Sequence, residues 1–156
     1  MKKIYFFLAI LALGFIQLTL LNYFRIFTVR PDLLLVACVV FSLRFPGKWA
    51  LFLSVFAGLF KDISSAQAIG INTLLFALWS LAITRLTREI SIDNDYLAAI
   101  LVLVIALTQN ILCGFYQLYV GNSIALGIFL RITVLESLYT AACLPLVIRA
   151  LRPLYT

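Results

Sequence analysis

The sequence predicts an all-α integral membrane protein, a single domain over residues 1–156 folded as a six-helix transmembrane bundle, and three observations carry that expectation. Of the 156 residues, 65% are hydrophobic and only 12% are charged, and the mean hydropathy of +1.14 lies far outside the range of a soluble domain. Apolar runs follow one another with polar breaks too short to fold separately. The basic residues between those runs fall mainly on one side when successive spans are counted through.

The first helix is expected over about residues 4–24. Lys2-Lys3 ahead of it looks like the start of a secretory signal, but the run continues to Phe24 without a small-residue cleavage site, so it reads as an uncleaved span. The next two runs are short. A helix from Leu33 to Leu43 would reach only ~16 Å, against a hydrocarbon core of ~30 Å. Extending it backwards gives helix two at about residues 26–43 and helix three at about 48–63, with Arg30-Pro31-Asp32 at or just below one interface. A re-entrant hairpin through Arg44-Phe45-Pro46-Gly47-Lys48 is the competing arrangement. Helices four, five and six are expected at about 66–84, 96–120 and 124–148. The longest connection runs from Arg85 to Asp95 and ends in the turn-forming Asp93-Asn94-Asp95, and Gly121-Asn122-Ser123 is the clearest turn on the other side.

Six spans starting in the cytoplasm place Lys2, Lys3, Arg44, Lys48, Arg85, Arg88, Arg149 and Arg152 inside, against Arg25, Arg30 and Lys61 outside. This obeys the positive-inside rule and makes both termini cytoplasmic. The net charge of +6 therefore reads as an orientation signal, with no basic stripe for nucleic acid. The three cysteines, Cys38, Cys113 and Cys143, lie in apolar runs at spacings that fit neither a zinc site nor a redox pair. With no histidine in the chain, the commonest metal ligand and neutral-pH base is missing, and neither a cofactor nor a metal is expected.

Several polar residues nonetheless fall at membrane depth, where each needs a reason. Pro31 suits the first turn of helix two and Asp32 the positive end of its dipole, a helix-start device that requires no further function. Ser54 and Gly58 stand at small-xxx-small spacing with Asp62 one turn further on, a pattern that serves internal packing or a groove for a partner helix. Gly70 and Asn72 open helix four, where glycine loosens the chain and asparagine can bond loop backbone. Gln109, Cys113, Tyr116 and Gln117 share a face of helix five, and Thr133, Glu136 and Thr140 one of helix six; interhelical hydrogen bonds are the plain reading, a substrate path the sharper one. Arg131 and Glu136 are five residues apart, about 140° around a helix, so they do not face each other. Arg131 can snorkel, whereas Glu136 is short and deep, either a structural carboxyl or an intramembrane site.

Taken together, Arg30-Pro31-Asp32-Leu33-Leu34-Leu35, then Gly58-Leu59-Phe60-Lys61-Asp62 and Gly70-Ile71-Asn72-Thr73-Leu74-Leu75, in this order on this hydropathy profile, resemble the rod shape-determining protein MreD family over essentially the whole chain. The segment Ser64-Ser65-Ala66-Gln67-Ala68 departs from the smaller-residue pattern usual at the family's turn. The resemblance implies a non-enzymatic component of the bacterial cell-elongation machinery in the inner membrane. It would act with MreC, the actin-like MreB, and the glycosyltransferase and transpeptidase that insert lateral peptidoglycan. It also implies an architecture similar to the substrate-binding subunits of energy-coupling-factor transporters. With so little loop, partner contacts are expected through helix faces, lipid interfaces and the Arg85–Asp95 connection, and the MreC transmembrane helix is expected on the face of Ser54 and Gly58.

Two rival functions follow from the residues. A small-molecule-binding transport subunit would use a cavity built by Gln109, Gln117 and Glu136. An intramembrane aspartic enzyme would need Asp32 and Asp62 to converge as an acid/base pair, although both are expected at the outer ends of their helices.

Overall fold

A computed structural model of the chain describes residues 2–23, 29–65, 69–90, 94–123 and 125–155, with the side chains of 2, 3, 20–22 and 153–155 left aside. Arg25, residues 66–68 of the turn and Asp93 of the expected Asp93-Asn94-Asp95 turn lie outside the described residues. Among the described residues the chain is all-helical: α1 (Lys2–Tyr23), α2 (Leu33–Arg44), α3 (Gly47–Ser64), α4 (Ile71–Glu89), α5 (Asp95–Tyr119), α6 (Leu126–Ala142) and α7 (Leu144–Tyr155). Two stretches, Asp95–Tyr119 and Leu126–Arg152, are long and apolar enough to cross a membrane by length and composition, and Ile4–Thr19 and Leu33–Arg44 are shorter apolar helices.

Three boundaries differ from the sequence expectation, each for a local reason. Helix two does not reach back to residue 26: Val29 to Asp32 are non-helical, because Pro31 disfavours helix at Arg30 and the Asp32 carboxylate accepts the Leu35 N–H as the cap. Helix four starts at Ile71 after Gly70 at φ 110°, and it runs on through Arg85 and Arg88 to Glu89. The first five residues of the expected Arg85–Asp95 connection are therefore helix, with Arg88 in the last turn of α4. The last apolar run is broken at Cys143, before Pro145, whose ring nitrogen has no proton to donate to the preceding turn. α7 continues as an amphipathic helix that buries Leu144, Val147 and Leu151 while Arg149 and Arg152 stay exposed.

α2 is the axis of the fold. Every residue from Leu33 to Ser42 is buried, and α1, α3, α4, α5, α6 and α7 all pack against it. Small polar residues permit the close approach of α3 and α4 to this axis. The Cys38 thiol donates to Ser54 Oγ (3.1 Å), and the Ser42 hydroxyl meets Ser80 Oγ (3.0 Å). At the Arg44 end of α2, Phe6 of α1 sets its ring edge-on to Phe41 (centroids 6.0 Å) and Phe45 (4.6 Å), closing that end with aromatic contacts.

The remaining packing is uneven. α3 and α4 pack closely on each other, α5 and α6 form a second close pair, and among the described residues α3 makes no near backbone approach to α5 or α6. α5 leaves its partner in a tight turn: Gly121, at φ 95°, donates its N–H to the Leu118 carbonyl (3.1 Å) and Asn122 donates to Gln117 (3.1 Å). A cleft separates the two pairs, and the polar residues of the sequence gather beside it.

Candidate functional site

Asp62, 1% exposed, carries five hydrogen bonds on its carboxylate. Its carboxylate accepts hydrogen bonds from the backbone N–H groups of Gly70 (2.9 Å), Asn72 (3.1 Å) and Thr73 (3.0 Å), from Asn72 Nδ2 (3.0 Å) and from Thr73 Oγ1 (2.6 Å). The first turn of any helix leaves N–H groups without intrahelical partners, and here the N-cap, Gly70, has no side chain to serve them. Asp62 caps α4 from the last turn of α3, where it also meets the positive end of the α4 dipole.

The same arrangement extends inwards. Asn72 Oδ1 accepts from Gln109 Nε2 (3.1 Å), and Gln109 Oε1 accepts from Trp79 Nε1 (2.9 Å). Asn72 thus bonds a carboxylate and a glutamine, where loop backbone was the sequence expectation. The buried chain Asp62–Asn72–Gln109–Trp79 is the main polar tie between the α3–α4 pair and α5, and every link has both a donor and an acceptor.

A second polar group surrounds the start of α2. Lys61 donates to Asp32 in an ion pair whose side chains are 18% and 7% exposed, and the ammonium also lies 5.3 Å from the centre of the Phe76 ring. Asp32 Oδ1 accepts from Leu35 N (3.1 Å) and Gln17 Nε2 (3.4 Å), Gln17 Oε1 takes the Leu34 N–H (3.2 Å), and the Asp32 N–H donates to Thr140 Oγ1 (3.0 Å). Pro31 sits just ahead of this cap, in the non-helical segment that enters α2. Asp32 and Asp62, expected at the outer ends of helices two and three, stand at the start of α2 and in the last turn of α3, and both are buried in the bundle and compensated by protein groups. They have separate sets of donors, so the shared-proton geometry of an aspartic enzyme is not assembled.

The expected partner groove at Ser54 and Gly58 is likewise filled from within. Ser54 is fully buried against Cys38. A Cβ on Gly58 would lie 2.6 Å from Thr73 Cα and 3.0 Å from Asn72 O and Thr73 N, all backbone atoms of α4. Small-xxx-small spacing reports close packing but not which helix supplies it. Gly58→Ala is expected to destabilise the fold by about 1–3 kcal/mol by pushing α4 away from α3. The check is thermal unfolding in detergent, and an unchanged midpoint would show that the helix pair can separate freely.

The cleft between the helix pairs holds a cavity of about 320 Å³, lined by Lys61, Ser65 and Asn72 on one side and by Asn110, Cys113, Gln117, Phe129, Thr133 and Glu136 on the other. Gln109, expected in such a cavity with Gln117 and Glu136, is instead fully buried in the tie to Asn72 and Trp79. Asn110 and Ser65 were not singled out from the sequence; Asn110, next to Gln109, is visible there only as another polar residue within an apolar run. Arg131 is exposed and lines a shallow surface groove with Leu130, Val134 and Leu135. Among the described residues no three His, Cys, Asp or Glu side chains gather where a metal could be held.

Chemically, the two carboxylates of α2 and α3 fasten helices, and the cavity residues can recognise a polar group. Compared with known families, the chain is matched over residues 1–153 by the model of MreD, described as rod shape-determining protein MreD. Searches of curated proteins and of solved structures return no match.

Proposed function

The chain belongs to the rod shape-determining protein MreD family, and from that premise we propose that it is a non-enzymatic component of the bacterial cell-elongation complex. It sits in the inner membrane as six spans with both termini cytoplasmic, binds the transmembrane helix of MreC, and helps position lateral peptidoglycan synthesis alongside MreB and the glycosyltransferase and transpeptidase. An architecture similar to the substrate-binding subunits of energy-coupling-factor transporters belongs to the same proposal. The observation that carries the reading is the family match across residues 1–153. The commitment of Asp32 and Asp62 to helix capping supports it, since neither is held in reserve for chemistry.

With Ser54 and Gly58 occupied internally, the MreC helix is assigned to outward apolar positions. Phe52 and Leu59 of α3 and Phe115 and Leu118 of α5 are all exposed. Single cysteines at these four positions, with Ser54→Cys as the buried control, should give a crosslink to MreC from at least one outward face and none from the control. Failure of MreC to copurify, together with no outward crosslink, overturns the reading. A small-molecule-binding transport subunit remains the second reading, favoured by the cavity at Glu136. A copurified soluble ligand whose loss leaves cell shape unchanged selects it.

A further inference from the structure

The cavity between α3–α4 and α5–α6 contains polar groups that the packing of the bundle does not use. Glu136, Asn110 and Gln117 all line it, and among the described residues none of their side chains has a hydrogen-bond partner within the protein, while Lys61, on the opposite wall, is ion-paired with Asp32. Among those same residues no fully buried side-chain nitrogen or oxygen lacks a partner. The polar atoms of these three side chains are therefore accessible, and a group held in the cavity that they line can satisfy them. Placing a carboxylate and two carboxamides at membrane depth is costly unless they are matched.

The pattern of charge specifies the match. Lys61 gives its direct ion pair to Asp32, and Asp62 is saturated by α4; Glu136 feels the Lys61 charge across the cavity without forming an ion pair with it, so its carboxylate can still take a cation in contact. An ammonium fits it as a charge-assisted donor. The carboxamide N–H groups of Asn110 and Gln117, and the Lys61 donors beyond the one given to Asp32, suit anionic oxygens a few ångströms away. Asn110 and Gln117 are two turns apart on α5, about 10 Å, so the polar lining follows the helix axis. Phe129 and Ile132 add apolar wall. A volume of about 320 Å³ is at the small end of ligand sites, which run from ~300 to ~1,000 Å³, and suits a headgroup or a compact polar molecule.

We propose that this cavity binds a zwitterionic group carrying a primary ammonium and a phosphate, with the ammonium on Glu136 and the phosphate oxygens toward Asn110, Gln117 and Lys61. The bilayer supplies this chemistry as phosphatidylethanolamine, and solution supplies it as free phosphoethanolamine. The inference goes beyond the elongation role and uses no measurement on MreC, so its failure would leave that role standing.

The test begins with protein reconstituted in nanodiscs of equimolar phosphatidylethanolamine and phosphatidylglycerol, then exchanged into mild detergent for lipid analysis by native mass spectrometry. Wild type should retain the amine lipid about tenfold over the glycerol lipid, the effect of one charged hydrogen bond, and Glu136→Gln should bring the ratio close to one. Gln117→Leu should lower it several-fold and decides the matter if Glu136→Gln does not fold, while Glu89→Gln, at the exposed far end of α4, should leave it unchanged. Lipid-stripped protein is titrated with phosphoethanolamine in parallel. Thermal stabilisation that depends on Glu136, without lipid retention, supports the same site with a soluble ligand. No preference in wild type in either arm, or a preference that survives both variants, overturns the proposal.

Discussion

Replacing Asp62 by alanine is expected to destabilise the protein by about 3–5 kcal/mol, a large effect for one side chain. The variant removes the acceptor of five hydrogen bonds at once. A hydrogen bond to a charged group contributes about 1.5–3 kcal/mol, but the five share one carboxylate and do not add in full. The deeper loss is that the N–H groups of Asn72 and Thr73 are left at a buried helix start where Gly70 has nothing to offer them. Asp62→Asn should cost less, about 2 kcal/mol, because one acceptor oxygen survives while the new NH₂ confronts other donors. Unfolding of purified protein in bicelles by steric trapping gives both values. An alanine variant within about 0.5 kcal/mol of wild type, the scatter of ordinary surface substitutions, would show that α4 holds its own first turn.

The Asp32–Lys61 pair should behave in the opposite way under double substitution. Lys61→Met alone removes the countercharge of a carboxylate whose side chain is 7% exposed, and breaking a buried pair by removing one partner costs about 3–5 kcal/mol. Asp32→Asn alone should cost less, since asparagine caps helices well and the ammonium keeps its place over the Phe76 ring and beside the cavity. The double variant should be more stable than Lys61→Met, with a coupling of about 1–3 kcal/mol across the cycle. Additive losses, measured by the same unfolding assay, would mean that the two charges stabilise the fold independently.

The sequence identified class and neighbourhood better than partnership. Helical, membrane-type composition followed from hydropathy, and the polar faces of helices five and six were visible at helical spacing. Asp62 was visible as a landmark, yet its role depends on Gly70, Asn72 and Thr73, eight to eleven residues away across a turn, and spacing alone does not close that turn. Gly58 signalled close packing without naming α4. The start of helix two was misplaced because a rule for single helices, that a span must cover the hydrocarbon, was applied to one surrounded by six others. The break at Cys143 was foreshadowed only by Pro145, which many membrane helices tolerate.

The burial of α2 has a consequence for how the protein is made. At 12 residues, about 18 Å, and with a carboxylate fixed at its start, α2 falls short of the ~20 apolar residues that secure a helix in lipid by itself. Its ten buried residues, Leu33 to Ser42, are covered by protein, including α5, α6 and α7, which leave the ribosome later. Until those helices arrive, α2 depends on α1 and α3 as temporary lining, and Lys61 must be in place before the Asp32 charge is compensated. For the six-span arrangement proposed above, membrane insertion is therefore expected to be cooperative, with the centre laid down early and made stable only when the C-terminal half closes around it.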